Sequence, residues 1–390
     1  MKLKKYINLH EPVFYGNEKK YLNECVDSTF VSSIGNYINK FETNLSKYTK
    51  SKYVTNTING TAALHLALKI SNIKKNQEVI VPSITFIAPI NAVIYNNSNP
   101  IFMDCDEYFN IDIKKILKFI EEETIFKNYK TINKSSGAII AAIIIVHVFG
   151  NAVFLDELIK VCKKKNIIII EDASESLGTI YSKGKYKGRH VGTIADVGCL
   201  SFNGNKIITA GAGGAVLTNN KNFFEKAKYY SNQSKDDQLF FIHNEVGYNY
   251  RMSNLNAAVG LAQLENIDSI IKKKKIVRKL YVNLFDGYKK FSLLKNPNYS
   301  INNNWLNIMI INDCNIDFFN KLLKKFISKG INIRPIWYPN HLQKTFKKFQ
   351  RYNIINAHKV VRNSICLPSS SFITIREINK IKNVLDLWKK

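Results

Sequence analysis

A chain of 390 residues, 45% of them hydrophobic, can bury a large core in one large domain or two. It has no run of eighteen apolar residues and no long apolar segment in its opening MKLKKYINLHEPVF, so the expectation is a cytoplasmic protein with neither membrane span nor signal peptide. A formal charge of +27 ordinarily suggests nucleic acid or an anionic membrane, but only seven of the 57 basic residues are arginine and no arginine-rich patch with interleaved aromatics occurs, so neither partner is expected.

Lysine runs such as Lys272 to Lys275 and Lys163 to Lys165 read as solvated helix faces. The six cysteines are far apart and form no CxxC pair, which reads as reduced packing residues, with no disulfide and no metal site.

The chain opens with an extended segment, and Glu18 to Asp27 has a helical pattern. A loop from Phe30 to Gly35, containing Ser32 and Ser33, leads to an amphipathic helix over Asn36 to Tyr48 and a strand at Tyr53 to Thr57. Asn59-Gly60-Thr61-Ala62-Ala63 then precedes the apolar pattern Leu64, Leu66, Ala67, Ile70. This is the layout of a helix N-terminus that offers free backbone N–H groups to an anion such as phosphate.

Strands at Glu78 to Pro82, Pro100 to Asp104, Ala138 to His147 and Ile167 to Asp172 alternate with helices at about Ile113 to Glu123 and Leu155 to Lys165. Such alternation implies right-handed βαβ units and an α/β fold with a mostly parallel sheet. Lys127 to Ser136, rich in lysine, asparagine and serine, reads as an exposed loop insertion. Phe86, just past a strand end, reads as core packing on its own. His147 either lies near a ligand at its strand end or is a satisfied hydrogen-bonding histidine.

The run IIIIED over Ile167 to Asp172 is a buried parallel strand that ends in two acids. Open α/β sheets bind ligands beyond the carboxyl ends of their strands, which is where Asp172 falls. Ser201 to Gly214, SFNGNKIITAGAGG, sets Lys206 among small and polar residues before a glycine-rich turn. Gly247 to Ala258, GYNYRMSNLNAA, precedes a long helix around 255 to 285, taken as the passage from a large domain, 1–260, to a smaller C-terminal α+β domain, 261–390. That second domain carries a strand at Asn307 to Ile311, a helix at Asp317 to Lys329 and a strand at Ile331 to Arg334.

A lysine amine attacks carbonyls only when its environment shifts it from its usual pKa of about 10.4, as in Schiff-base lysines. A lysine for an imine, an acid for a ring nitrogen and a helix start for a phosphate are together a protein's share of pyridoxal phosphate chemistry. In that chemistry Lys206 is anchor and general acid/base, and Asp172 keeps the pyridine nitrogen protonated.

In the order and wording of these segments the chain resembles the DegT/StrS-type nucleotide-sugar aminotransferases, which have the fold-type I architecture, from about residue 8 to about residue 370. HEPVFYGNEKKYLNECVDSTFVSS, SFNGNKIIT, GYNYRMSNLNAA and RPIW are most similar to the branch that aminates 4-keto sugars on the way to legionaminic acid. The resemblance implies a homodimer with shared active sites. It puts Phe86 on the pyridine face, Glu175 near the cofactor's phenolic oxygen where many relatives carry glutamine, and the phosphate on Gly60, Thr61, Ala62 and Ser201. Asn249 would reach the phosphate of the neighbouring subunit. Ser32, Ser33, Arg334 and Trp337 would lie on the substrate side, with packing the alternative for Trp337.

Gly211-Ala212-Gly213-Gly214 departs from the family's GEGG; the glycine turn survives and the glutamate's contact does not. The implied reaction moves an amino group from L-glutamate to C4 of a nucleotide-linked 4-keto-6-deoxy sugar. UDP-2-acetamido-2,6-dideoxy-4-ketohexose is the first expectation and a GDP-linked sugar the second. A dehydratase of the same fold typically replaces the lysine by histidine, so Lys206 weighs against it. Lys206 and Asp172 together weigh against a non-catalytic or regulatory relative.

Overall fold

The computed structural model describes residues 6–388. Its centre is an eight-stranded sheet in the order Tyr53–Thr57, Gly214–Thr218, Val197–Ser201, Ile168–Asp172, Ile140–Val146, Glu78–Pro82, Asn99–Met103, Arg351–Tyr352. The last six run parallel, and Gly214–Thr218 lies antiparallel between Val197–Ser201 and Tyr53–Thr57. Ile140–Val146 and Ile168–Asp172 are almost wholly buried, as strands covered on both faces must be, and this is why they read as continuous isoleucine and valine. The carboxyl ends of the parallel strands, among them Pro82, Val146, Asp172 and Ser201, gather on one edge of the sheet.

A second, four-stranded antiparallel sheet joins Phe291–Leu293, Asn307–Ile311, Ser364–Leu367 and Arg334–Pro335. Helices Ile267–Phe285, Ile316–Ser328 and Ile375–Leu385 bury their apolar faces against it in a core that includes Tyr281, Phe291, Leu322 and Ile381. The last of these helices starts with a capping box formed by Thr374 and Glu377. Among the described residues no helix is long and apolar enough to cross a membrane, and all six cysteines are free thiols.

Three elements differ from the sequence expectation. Part of the supposed loop Lys127 to Ser136 belongs to a hairpin, Thr124–Lys127 with Lys130–Asn133, whose two-residue turn has Asn128 and Tyr129 both at positive φ. Inward-facing Thr131 and Asn133 are buried there, Asn133 donating to Glu78, so the polar composition hides a strand pattern. The long helix around 255 to 285 is two helices, Asn254–Glu265 and Ile267–Phe285, broken at Asn266, whose side chain turns back to the Ala262 carbonyl. The strand expected over Ile331 to Arg334 pairs as Arg334–Pro335, while Ile331 makes an isolated bridge to Ile7.

Candidate active site

Strand register builds the site. Thr57 pairs with Gly214, and Gly214 with Ser201, so the helix that starts three residues after Thr57 begins beside Ser201. The approach is very close. A Cβ on Gly60 would stand 2.8 Å from Ser201 Cβ and 3.4 Å from Ser174 Oγ, and one on Gly214 only 2.5 Å from the Asn59 carbonyl oxygen. Asn59 caps the helix Gly60–Ile70 by accepting the Ala62 N–H at 2.8 Å, and its carbonyl accepts Ala63 N–H. Ala62 is therefore already engaged, and the free donors at this helix start are Gly60 and Thr61.

These groups line one end of a cavity of about 480 Å³. Lys206 stands in its wall, with Nζ 3.8 Å from Glu175 Oε1 and 4.5 Å from the centroid of the Trp305 ring. Glu175 is 3% exposed and its other oxygen accepts the Phe149 N–H at 2.8 Å, although Phe149 must adopt a left-handed φ of 55° to present it. Burial pushes the Glu175 carboxyl up to about 7, and the nearby Lys206 and the Phe149 N–H offset only part of that rise. Asp172, 4% exposed, accepts the Ser174 N–H at 3.0 Å. Burial raises its pKa too, against the lowering influence of Ser174, Lys206 and His147.

His147 is fully buried and turned to the other neighbour: its Nε2 meets Glu171 at 3.0 Å and its Nδ1 accepts Val153 N–H. It is the hydrogen-bonding histidine of the two alternatives.

The cavity suits pyridoxal phosphate on its own terms. Gly60 leaves a cradle that a single methyl group would fill, bordered by the Ser201 and Ser174 hydroxyls and two free N–H groups. The Asp172 carboxyl, raised by burial, is one that a ring cation would relieve, and the Lys206 amine lines the same cavity. Phe86, 55% exposed, offers its ring to that space.

Of the residues singled out from sequence, Gly60, Thr61, Phe86, Asp172, Glu175, Ser201, Lys206 and Trp337 line this cavity. Ala62, Asn249, Ser32, Ser33 and Arg334 are not among its lining residues. Ser33 borders a separate cavity of about 170 Å³ with Arg251, while the Ser32 carbonyl accepts Asn254 N–H. Asn249 is exposed and bridges to Asn232, and Arg334 is exposed on the edge of the second sheet. Sequence reasoning missed Ser174, Asn205 and Trp305. An asparagine run before a tryptophan, Asn302 to Trp305, ahead of a strand was the one local signal for the last.

A family description, the DegT/DnrJ/EryC1/StrS aminotransferase family, matches residues 14–386. The chain is 35% identical over 367 residues to GDP-perosamine synthase of Escherichia coli O157:H7, covering 94% of this chain and 93% of that protein. It is 29% identical over 357 residues to a Campylobacter jejuni UDP-4-amino-4,6-dideoxy-N-acetyl-beta-L-altrosamine transaminase, covering 90% and 89%. The structure of Helicobacter pylori PseC superposes with a TM-score of 0.86 at 22% identity, over 98% of both chains, which carries the fold. Site and comparisons agree that this chain belongs to the DegT/DnrJ/EryC1/StrS aminotransferase family, has the fold-type I architecture and is a pyridoxal-phosphate-dependent aminotransferase.

Proposed function

We propose that the enzyme transfers an amino group from L-glutamate to C4 of a 4-keto-6-deoxy sugar carried on a nucleoside diphosphate. The observation that carries this reading is the convergence of Lys206, Asp172, Glu175 and the Gly60 helix start in one cavity. The bound cofactor supplies a carbon that carries the amino group between substrates and a ring that takes up electrons. Lys206 would anchor it and move the proton between carbon atoms; Asp172 would hold a proton at the ring nitrogen; Gly60, Thr61 and Ser201 would bind the phosphate, and Phe86 would lie against the ring. Glu175, whose carboxyl burial raises to about 7, would in its protonated form donate a hydrogen bond toward the phenolic oxygen.

We assign a UDP-linked 2-acetamido sugar first, in a legionaminic-type pathway, on the wording of the HEPVFYGNEKK and RPIW segments. A GDP-linked sugar is the second reading, favoured by the 35% identity to a GDP-perosamine synthase. A cytoplasmic homodimer is part of the proposal. Leu239, Phe240, Phe241 and Val246 are 66% to 82% exposed, an apolar surface next to Asn249 that a second subunit would cover. Supplying purified enzyme with glutamate and each 4-keto sugar nucleotide, with product mass as the readout, tests the assignment. Amination of the UDP sugar supports it, amination of the GDP sugar alone selects the second reading, and deoxygenation without amination refutes both.

A further inference from the structure

We propose that Trp305 is a positioning residue for Lys206: the indole face is the resting place of the lysine's ammonium, and Lys274 is the buried post that fixes the indole. The inference rests on Lys206 being the cofactor lysine. Its nearest carboxylate oxygen, on Glu175, is 3.8 Å away, beyond hydrogen-bonding distance, so that ion pair does not fix the direction of the amine. The Trp305 ring, with its centroid 4.5 Å from Nζ, lies in contact with it.

The ring is held from several directions. Its Nε1–H donates to the Asn205 carbonyl at 2.7 Å, so one side chain grips the catalytic loop at consecutive residues, through a hydrogen bond at 205 and its π face at 206. The Trp305 N–H donates to Asn303 Oδ1, and Asn303 Nδ2 reaches the carbonyls of Glu175 and Leu177. Phe149 stacks between Trp305 and Trp337, with centroids 6.3 and 4.7 Å away.

The Trp305 carbonyl accepts from Lys274 Nζ at 2.6 Å, and the same amine donates to the Ser369 carbonyl. Lys274 is 1% exposed, and both hydrogen bonds go to carbonyls. A buried lysine without a carboxylate is costly, and a leucine or methionine would fill the volume at lower cost. What the amine adds is a tie between helix Ile267–Phe285, the Ser369 loop and the backbone of the residue that touches Lys206.

The test uses full-length Trp305→Leu, Trp305→Phe and Lys274→Met, each checked for a wild-type circular dichroism spectrum. In the cofactor-free protein a small acylating reagent should label Lys206, mapped by mass spectrometry, about tenfold faster in Trp305→Leu, because the ammonium loses the ring that held and covered it. Trp305→Phe should restore most of the protection, and Lys274→Met should resemble a partial loss. In the loaded enzyme, Trp305→Leu should lower kcat about tenfold with the sugar KM unchanged. A folded Trp305→Leu protein with wild-type labelling and kcat would overturn the inference, as would a Phe variant no better than Leu. If wild-type Lys206 forms no borohydride-reducible adduct with pyridoxal phosphate, the functional reading itself fails, a result distinct from the first.

Discussion

Glu171 and Asp172 are consecutive acids on one buried strand, and the pleat sends them to opposite faces of the sheet. Glu171 is saturated: it accepts from Gly192, Ile194 and Ala195 N–H at 2.7 to 2.8 Å and meets His147. Burial alone would raise its pKa, but the His147 contact and these backbone donors hold it below the ordinary carboxylate range. Asp172 has the same burial and only Ser174 as hydrogen-bond donor, so its pKa is raised and its remaining capacity faces the cavity. One acid closes the fold, and its neighbour keeps unused accepting capacity beside the cavity.

The comparison breaks if the two acids respond alike to removal of charge. Asp172→Asn should cut transamination about a hundredfold while the melting temperature stays near wild type, because few native bonds depend on it. Glu171→Gln should instead destabilise the protein by about 3 kcal/mol, by presenting an amide to donors and a histidine matched to a carboxylate, with the surviving folded enzyme near full activity. Thermal melts beside initial rates separate the two outcomes.

A smaller effect concerns the phosphate end. Gly60→Ala puts a methyl group 2.8 Å from Ser201 Cβ, and the strain of about 1–3 kcal/mol should appear mainly as weaker cofactor binding, roughly tenfold in an equilibrium titration.

A further effect is on pH dependence. Glu175 has a raised pKa, about 7 in the folded cofactor-free protein against 4.5 for an ordinary glutamate. Between those values the folded state holds a proton that the unfolded state has lost, so its contribution is full below pH 4.5 and falls away as pH rises toward 7. Glu175→Gln should remove that decline from the stability curve of the cofactor-free protein. An unchanged curve would show that the carboxyl is ionised throughout the range.

What could be read from the sequence follows the same division. The IIIIED strand, the Asn59-Gly60 helix start and Lys206 in its glycine-rich segment are legible because each carries its signal within a few residues. Which acid of the pair faces the cavity depends on pleat and register, and Glu171 is satisfied by residues some twenty positions away. Trp305 meets Asn205 across 100 residues of chain, and the local Asn302 to Trp305 run does not say which distant segment it will meet. The hairpin Thr124–Asn133 stayed hidden for another reason: its lysines and asparagines look like a loop while Thr131 and Asn133 turn inward. Asn266 breaks one apolar helical pattern into two because its side chain bonds back to its own helix, a choice that hydrophobic periodicity does not register.

Central to the proposed function is Lys206, which would anchor the cofactor and move the proton between carbon atoms. The most direct measurement is the absorbance spectrum of the purified protein with pyridoxal phosphate, before and after L-glutamate, for wild type and Lys206→Ala. The account predicts a visible band in the wild type that glutamate discharges, and a variant in which that band is absent or does not respond. A wild type with no such band, or a band indifferent to Lys206, would mean that the fold persists without its chemistry.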